Sequence, residues 1–178
     1  LLNIGKVEKL ARILADLRNA GNDVCLVSSG AISTGRNSLT TNNNSNTLSF
    51  KQACAAIGQA KLIAHYQRFF AEYSINTAQV LLTEIILADE ESRVNALNTF
   101  NELFKLGAIP VVNENDSIST EEIKYVHTFG DNDRLSAIVA KLVDADLLII
   151  LSDIDGMYTD DPRKNPDAEL MYEIDRFT

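Results

Sequence analysis

Residues 109–116 read IPVVNEND, an apolar run that passes directly into amide and carboxylate side chains. Consecutive apolar residues without polar alternation are typical of a strand that is buried on both faces, as in a parallel sheet. The runs VCLV at 24–27, VLL at 80–82 and LLIIL at 147–151 have the same character. Segments with helical spacing of apolar residues lie between these runs, so the order predicts an α/β fold in which helices cover a mainly parallel sheet.

The composition is that of a globular domain and excludes several classes of protein. The chain has 178 residues, of which 46% are hydrophobic, which is enough for a buried core and too apolar for a disordered chain. Its net charge of -9 argues against a general nucleic-acid binder, and no apolar run approaches the roughly 18 residues of a membrane span. The two cysteines are expected to be small core residues in a reducing cytosol, which predicts a cytoplasmic protein.

Several element boundaries can be predicted from single residues. Gly107 is a natural stop for a helix that covers about residues 91–106. Ser49 is the expected N-cap of a long helix in the first half of the chain. Residues 117–128 are mostly polar and are expected to form an excursion, such as a hairpin, between the third strand and the next helix.

Polar clusters follow the predicted strands, where the ligands of open parallel sheets bind. These clusters are SSGA at 28–31, NEND at 113–116 and SD at 152–153, and a fourth cluster, GDND at 130–133, precedes a predicted helix. We therefore expect the functional residues to lie in these four segments.

The first cluster begins a helix, and a Ser-Gly-Ala turn at that position can present backbone N–H groups and a hydroxyl to an anion. The alternative is an ordinary strand-to-helix turn. Residues 30–37, GAISTGRN, also have the glycine spacing of a P-loop. However, Arg36 replaces the P-loop lysine, and Asn37 replaces the hydroxyl residue that holds magnesium. We therefore expect Arg36 to contribute little to nucleotide affinity.

The other clusters allow both a binding and a plainly structural interpretation. Asp116 could bind an ammonium group, or it could belong to an Asx turn. The carboxylates in 130–133 could bind a zwitterion or organise cations, or Asp133 could simply cap the next helix. Residues 152–163 contain a glycine turn, a tyrosine and a proline, which could form a nucleotide-base pocket or an exposed loop.

Taken in chain order, these segments resemble the glutamate 5-kinases of the amino acid kinase superfamily. The resemblance covers about residues 2–174. The matching segments are VSSGA (27–31), AIGQ (56–59), LLT (81–83), PVVNEND (110–116), GDNDRLSA (130–137), LSD (151–153), GMYT (156–159) and DPR (161–163). The pairing of the NEND and GDND loops is specific within the superfamily. The resemblance implies a three-layer α/β/α sandwich.

The reaction that the resemblance implies is ATP-dependent phosphorylation of the side-chain carboxylate of L-glutamate, with Mg²⁺, to L-glutamyl 5-phosphate. That reaction is the first step of proline biosynthesis. It needs no general base, because a glutamate side chain with a pKa of about 4.3 is already ionised at neutral pH.

The resemblance also implies roles for individual residues. Asp133 is similar to the residue that orients two catalytic lysines. No residue is assigned as a direct metal ligand. The implied glutamate-binding residues are Ser29, Gly30, Ala31, Asp116, Asp131 and Asn132, and the implied nucleotide-binding residues are Ser152, Asp153, Tyr158 and Pro162.

Further implications concern the whole protein. The family pattern places a first strand with a lysine before Leu1 and a second lysine after Thr178, so we expect residues 1–178 to be a single amino acid kinase domain without those two parts. The resemblance implies a homo-oligomer and a possible proline feedback inhibitor, with no membrane partner and no nucleic acid bound by this segment. Two other functions stay open: a related kinase that acts on another carboxylate such as aspartate, and an inactive binding or assembly module.

Overall fold

The structure is a computed structural model that describes residues 3–40, 45–83, 88–118, 131–152 and 154–173. The chain divides into two compact units, Leu1–Leu148 and Ile149–Thr178. The predicted excursion at 117–128 lies almost entirely outside the described residues. The expectation of a single kinase domain stays a prediction.

The described part of the first unit combines helices with a three-stranded sheet. The strands are β1 (Leu26–Val27), β2 (Thr77–Leu82) and β3 (Ile109–Glu114), in the order β1-β3-β2, and both neighbouring pairs are parallel. The helices are α1 (Ile4–Asn19), α2 (Ala31–Ser38), α3 (Leu48–Ala71), α4 (Glu90–Lys105) and α5 (Asp131–Leu142).

Helices cover both faces of this sheet. Alternate side chains of the central strand β3 point to opposite faces, so neighbouring residues of β3 belong to different cores. Val111 belongs to a buried core with Ala11 of α1 and Leu62 of α3. Its neighbour Val112 belongs to a second core, with Phe100 of α4. The two cores on opposite faces correspond to a three-layer α/β/α arrangement, so the predicted fold class is confirmed.

Helix boundaries agree with the sequence except at the start of α3. The predicted Ser49 N-cap is wrong by two residues, because Thr47 caps this helix and its Oγ1 accepts a hydrogen bond from the Phe50 N–H at 3.4 Å. Both residue types cap well, so the sequence alone did not distinguish them. Gly107 follows α4 with a φ of 67°, as expected for a residue that stops a helix.

The predicted strand at 147–151 is wrong. These five apolar residues are irregular in the structure, and their side chains are between 41% and 74% exposed. An apolar run shows that a segment favours burial, whereas a strand also needs a neighbour to pair its backbone N–H and C=O groups. Among the described residues, no strand pairs with this segment.

The second unit contains a short antiparallel pair, β4 (Met157–Tyr158) and β5 (Leu170–Met171). The connecting segment is a turn in which Asp161 is the main acceptor. Its Oδ1 accepts from the Arg163 N–H at 3.0 Å, and its carbonyl accepts from the Asn165 N–H at 2.8 Å. Across the described ranges, no helix has the combination of length and apolar character that crossing a membrane requires.

Helices α2 and α3 approach each other unusually closely at two buried glycines. A Cβ on Gly35 would overlap the carbonyl oxygen of Cys54, and a Cβ on Gly58 would overlap the carbonyl oxygen of Ala31. The two contacts run in opposite directions, each from a glycine of one helix to a backbone carbonyl of the other. The packing therefore depends on the absence of a side chain at both positions.

Both cysteines are free, and neither is expected to react in the native protein. Burial raises the pKa of the Cys25 thiol to about 12, so the reactive thiolate is scarce near neutral pH, and Cys54 is fully buried. We expect a disulfide reagent such as DTNB, at about pH 8, to label neither cysteine before unfolding and both after it. Rapid labelling of one thiol in the folded protein would contradict this expectation.

Candidate functional site

The carboxyl ends of the three strands lie at one edge of the sheet, because all three run in the same direction. The segments that follow the strands are tied to neighbouring strand ends by backbone hydrogen bonds. The Ser28 N–H donates to the Val112 carbonyl at 2.8 Å, and the Asn115 N–H donates to the Leu82 carbonyl at 2.8 Å. These hydrogen bonds therefore fix the positions of the polar segments that follow β1 and β3.

Helix α3 also holds this edge, through two buried side chains. Gln59 donates from Nε2 to the Glu114 carbonyl at 3.2 Å, at the end of β3. The hydroxyls of Tyr66 and Ser28 are hydrogen-bonded at 3.1 Å, directly after β1. Burial raises the pKa of Tyr66 although the hydrogen bond with Ser28 opposes the shift, so the tyrosine is protonated at neutral pH. One helix thus fixes the ends of two strands.

A cleft of about 400 Å³ opens at this edge. The structure brings four of the predicted glutamate-binding residues to its walls: Gly30, Ala31, Asp116 and Asn132. They come from three separate segments, which are the start of α2, the turn after β3 and the first turn of α5. Their convergence is a property of the fold that no single motif shows.

The start of α2 is built to leave backbone N–H groups without a side-chain cap. Gly30 is the N-cap residue, with a φ of 94° that favours glycine, and it has no side chain that could accept from the first turn. The first N–H groups of a helix have no partner within it, and they carry the positive end of the helix dipole. The wall formed by Gly30 and Ala31 is therefore suited to an anion.

The helical conformation of this segment also excludes the P-loop interpretation of GAISTGRN. Residues 31–38 are all in α2, whereas a P-loop wraps phosphates with a glycine-rich loop that precedes its helix. Arg36 lies in the second turn of α2 and is one of the residues that line the cleft.

Three polar atoms of cleft-lining residues are buried and have no hydrogen-bond partner among the described residues. They are Arg36 Nε, Asn113 Nδ2 and Asn132 Oδ1, which are two donors and one acceptor. Asn113 is only 3% exposed, and its Oδ1 already accepts from the Glu114 N–H at 2.8 Å, so its amide nitrogen is held in a fixed direction. Buried polar groups in folded proteins are normally paired, so this concentration makes the cleft a candidate binding site.

Five residues that line the cleft have no binding role predicted from the sequence: Ile32, Ser33, Arg36, Asn113 and Glu114. Asn113 lies at the end of β3, where the sequence changes from apolar to polar. That change could have indicated a residue of the site. In the sequence, Arg36 stands only where a P-loop would have its lysine. Its place in the second turn of a helix that begins at the sheet edge was the signal for its position in the cleft.

The remaining predicted residues of the first unit are not among those that line the cleft. Ser29 is exposed, next to the lining residue Gly30. Asp133 is exposed in α5, and its carbonyl accepts from the Ser136 hydroxyl at 2.6 Å. Asp131 begins α5, but its side chain is outside what the structure describes. Roles for these three residues stay predictions.

The predicted nucleotide-binding residues all belong to the second unit. Ser152 is exposed, Pro162 is half-buried, and Asp153 lies outside the described residues. The Tyr158 hydroxyl donates to Asp155 Oδ1 at 2.8 Å, and this hydrogen bond raises the pKa of Tyr158. Nucleotide binding at these residues stays a prediction.

The charges of the cleft suit a zwitterionic ligand that has both an ammonium group and a carboxylate. Asp116 and Glu114 supply negative charge, whereas Arg36 and the start of α2 supply positive charge. In the ranges that the structure describes, no group of three or more His, Cys, Asp or Glu residues could hold a metal ion.

Comparison with known proteins gives a consistent result. A sequence model of the amino acid kinase family matches residues 3–176. The chain is 50% identical over 177 residues to a glutamate 5-kinase of Clostridium perfringens, which covers 99% of this chain and 66% of that protein. It is 51% identical over 173 residues to a glutamate 5-kinase of Carboxydothermus hydrogenoformans, with 97% and 45% coverage. A glutamate 5-kinase of Enterococcus faecalis is 48% identical, with 97% and 64% coverage. The chain thus spans about half to two thirds of the length of these curated relatives.

Proposed function

Because the chain belongs to the amino acid kinase family, we propose that it carries the amino acid site of an enzyme that phosphorylates L-glutamate with ATP. The observation that supports this proposal most strongly is the cleft at the carboxyl edge of the sheet. Donors for a carboxylate and acceptors for an ammonium group meet there, and three of those polar atoms have no partner among the described residues.

The proposed reaction joins two anions. A side-chain carboxylate oxygen of glutamate attacks the γ-phosphorus of ATP, the bond from that phosphorus to the β,γ-bridging oxygen breaks, and ADP leaves. The nucleophile is already deprotonated at neutral pH, so no base is required. The protein has to orient the two substrates and offset their charge repulsion.

The residues of the cleft provide the first of these requirements. The carboxylate of Asp116 accepts from the substrate ammonium group, and the N–H groups at Gly30 and Ala31 donate to a carboxylate. Asn113 and Asn132 contribute a donor and an acceptor without adding charge. Mg²⁺ would enter as its complex with ATP, since magnesium in such sites is held largely by substrate phosphates.

Several finer statements belong to the same proposal. ATP would bind in the second unit at Ser152, Asp153, Tyr158 and Pro162, and Asp133 would orient the lysines of the catalytic centre. A cytoplasmic location, a homo-oligomeric assembly and inhibition by proline are supported by the resemblance to glutamate 5-kinases.

The proposed reaction can be tested by trapping its product. The purified full-length protein is incubated with Mg²⁺, ATP and one amino acid, and hydroxylamine converts any acyl phosphate to a hydroxamate. We expect hydroxamate from L-glutamate and much less from L-aspartate. A higher kcat/KM for aspartate would favour a related carboxylate kinase. A folded protein that binds glutamate and forms no product would favour a binding module.

Asp116 is expected to determine affinity for the amino acid and not for the nucleotide. Asp116→Asn removes the charge that would hold the ammonium group, and a charged hydrogen bond contributes about 1.5–3 kcal/mol. We therefore expect the KM for glutamate to rise roughly ten- to a hundredfold while the KM for ATP changes little. Steady-state kinetics with each substrate varied in turn measures both values.

The matched control for this substitution is Asp16→Asn, the same change on the exposed surface of α1. It should leave both KM values close to those of the wild type. An equal rise in the KM for glutamate and for ATP in Asp116→Asn would contradict the assignment.

A further inference from the structure

Among the described residues that line the cleft, Arg36 is the only one with a cationic side chain. Its guanidinium group carries five N–H donors, and the described residues provide partners for only part of them. Nη2 donates to Asn46 Oδ1 at 3.2 Å and to the Ser45 carbonyl at 3.5 Å. Nε is buried and has no hydrogen-bond partner among the described residues.

The guanidinium group is held in place by contacts outside the cleft. It lies over the ring of Phe50, with Cζ 5.6 Å from the ring centroid, and the bond to Asn46 fixes one end of its plane. A planar donor group that is oriented in advance loses little freedom when it binds a carboxylate. The contacts with Phe50 and Asn46 therefore orient the guanidinium group, and its remaining N–H donors can bind an anion.

Arg36 lines the same cleft as Asp116, and this shared location points to the α-carboxylate of the substrate as the anion. An α-amino acid carries its ammonium group and its α-carboxylate on the same carbon atom, so the partners of these two groups have to line the same part of a site. Asp116 and Arg36 line one cleft and carry the opposite charges that these groups require. The side-chain carboxylate of glutamate, in contrast, has to face the γ-phosphate.

We propose that Arg36 is a specificity-determining residue that pairs with the α-carboxylate of the amino acid substrate. This inference rests on the proposed function and adds a residue to it. A carboxylate at this position would give the buried Nε a partner, and burial of an unpaired donor costs free energy. The pairing also explains the choice of arginine at this position. A planar guanidinium group can bind a carboxylate through two N–H groups, and the neighbouring contacts hold that plane in one orientation.

The test compares two substrates that differ only at the α-carboxylate. L-Glutamate and its α-amide, L-isoglutamine, have the same reacting side-chain carboxylate, but the amide is neutral at the α position. In the full-length enzyme, kcat/KM is measured for both substrates with the wild type, Arg36→Gln and Arg36→Lys. Arg68→Gln, the same substitution at an exposed position of α3, is the control.

We expect the wild type and the control variant to prefer glutamate over isoglutamine. Arg36→Gln should lose about ten- to a hundredfold in kcat/KM for glutamate and little for isoglutamine, so that the preference disappears. Arg36→Lys should recover part of it, and the KM for ATP should change little in every variant. An equal loss for both substrates, or a rise confined to the KM for ATP, would overturn the inference.

Binding separates this inference from the proposed function. L-Glutamate should raise the Tm of the wild type and of Arg68→Gln, and should raise that of Arg36→Gln much less. If the wild type made no acyl phosphate, the proposed function would fail, and this difference in the Tm shift would decide the role of Arg36. Equal shifts in all three proteins would overturn that role.

Discussion

Gly58→Ala is expected to lower the free energy of unfolding of the first unit by about 3 kcal/mol or more. The new Cβ would overlap the Ala31 carbonyl oxygen and would lie 2.7 Å from its carbonyl carbon. Both are backbone atoms, so no side chain can rotate away, and α2 and α3 would have to separate. Gly35→Ala should have a similar effect, because its Cβ would overlap the Cys54 carbonyl oxygen.

Urea unfolding followed by circular dichroism measures this loss directly. The control is Gly5→Ala in α1, where a Cβ would meet only Asn3 Oδ1, at an ordinary distance of 3.7 Å. Alanine is the better helix former by up to about 1 kcal/mol, so this variant should be at least as stable as the wild type. Wild-type stability of Gly58→Ala would show that the two helices are not packed as described.

The second large effect is expected for Phe100→Ala. Phe100 is a residue of α4 and is fully buried. Its core also contains Val112 of β3 and Leu135 and Val139 of α5. Truncation of a buried phenylalanine removes apolar contacts and leaves a cavity, which typically costs about 3–5 kcal/mol. We expect a matching fall in the urea midpoint, with little change in the slope of the transition.

Phe100→Leu is the matched variant, because it retains most of the apolar volume and should cost clearly less than Phe100→Ala. The substitution also tests a link to the cleft. Leu135 and Val139 lie on α5, whose first turn carries Asn132, so a looser core should also weaken glutamate binding. Similar losses of stability for the alanine and leucine variants would contradict this description of the core.

Features that depend on local pattern were predictable from the sequence. Apolar runs predicted β2 and β3, and Gly107 predicted the end of α4. The order of helices and strands predicted the α/β class, because a strand that is apolar on both faces needs helices on both sides. Polar clusters after the strands predicted the places of Gly30, Ala31 and Asp116 in the cleft, and the cluster before α5 predicted that of Asn132.

Features that depend on distant contacts were not predictable in the same way. The run at 147–151 is as apolar as β3, but a strand also requires a paired neighbour, which no property of the run itself reveals. Arg36 looked like a defective P-loop residue because only the three-dimensional structure brings it to the same cleft as Asp116 and Asn132. The buried state of Asn113 Nδ2 likewise depends on packing from separate segments.

The two hydrogen bonds from α3 to the strand ends bear on how the cleft distinguishes substrates by length. Gln59 and Tyr66 are two helical turns apart on one rigid element, and they hold the end of β3 and the turn after β1 at a constant separation. These two hydrogen bonds oppose an inward movement of the walls, and such a site adapts poorly to a shorter ligand. Aspartate has one methylene fewer than glutamate. In the proposed reaction, with its ammonium group at Asp116, its carboxylate would stop short by roughly 1 Å, a displacement that can lower a rate about a hundredfold.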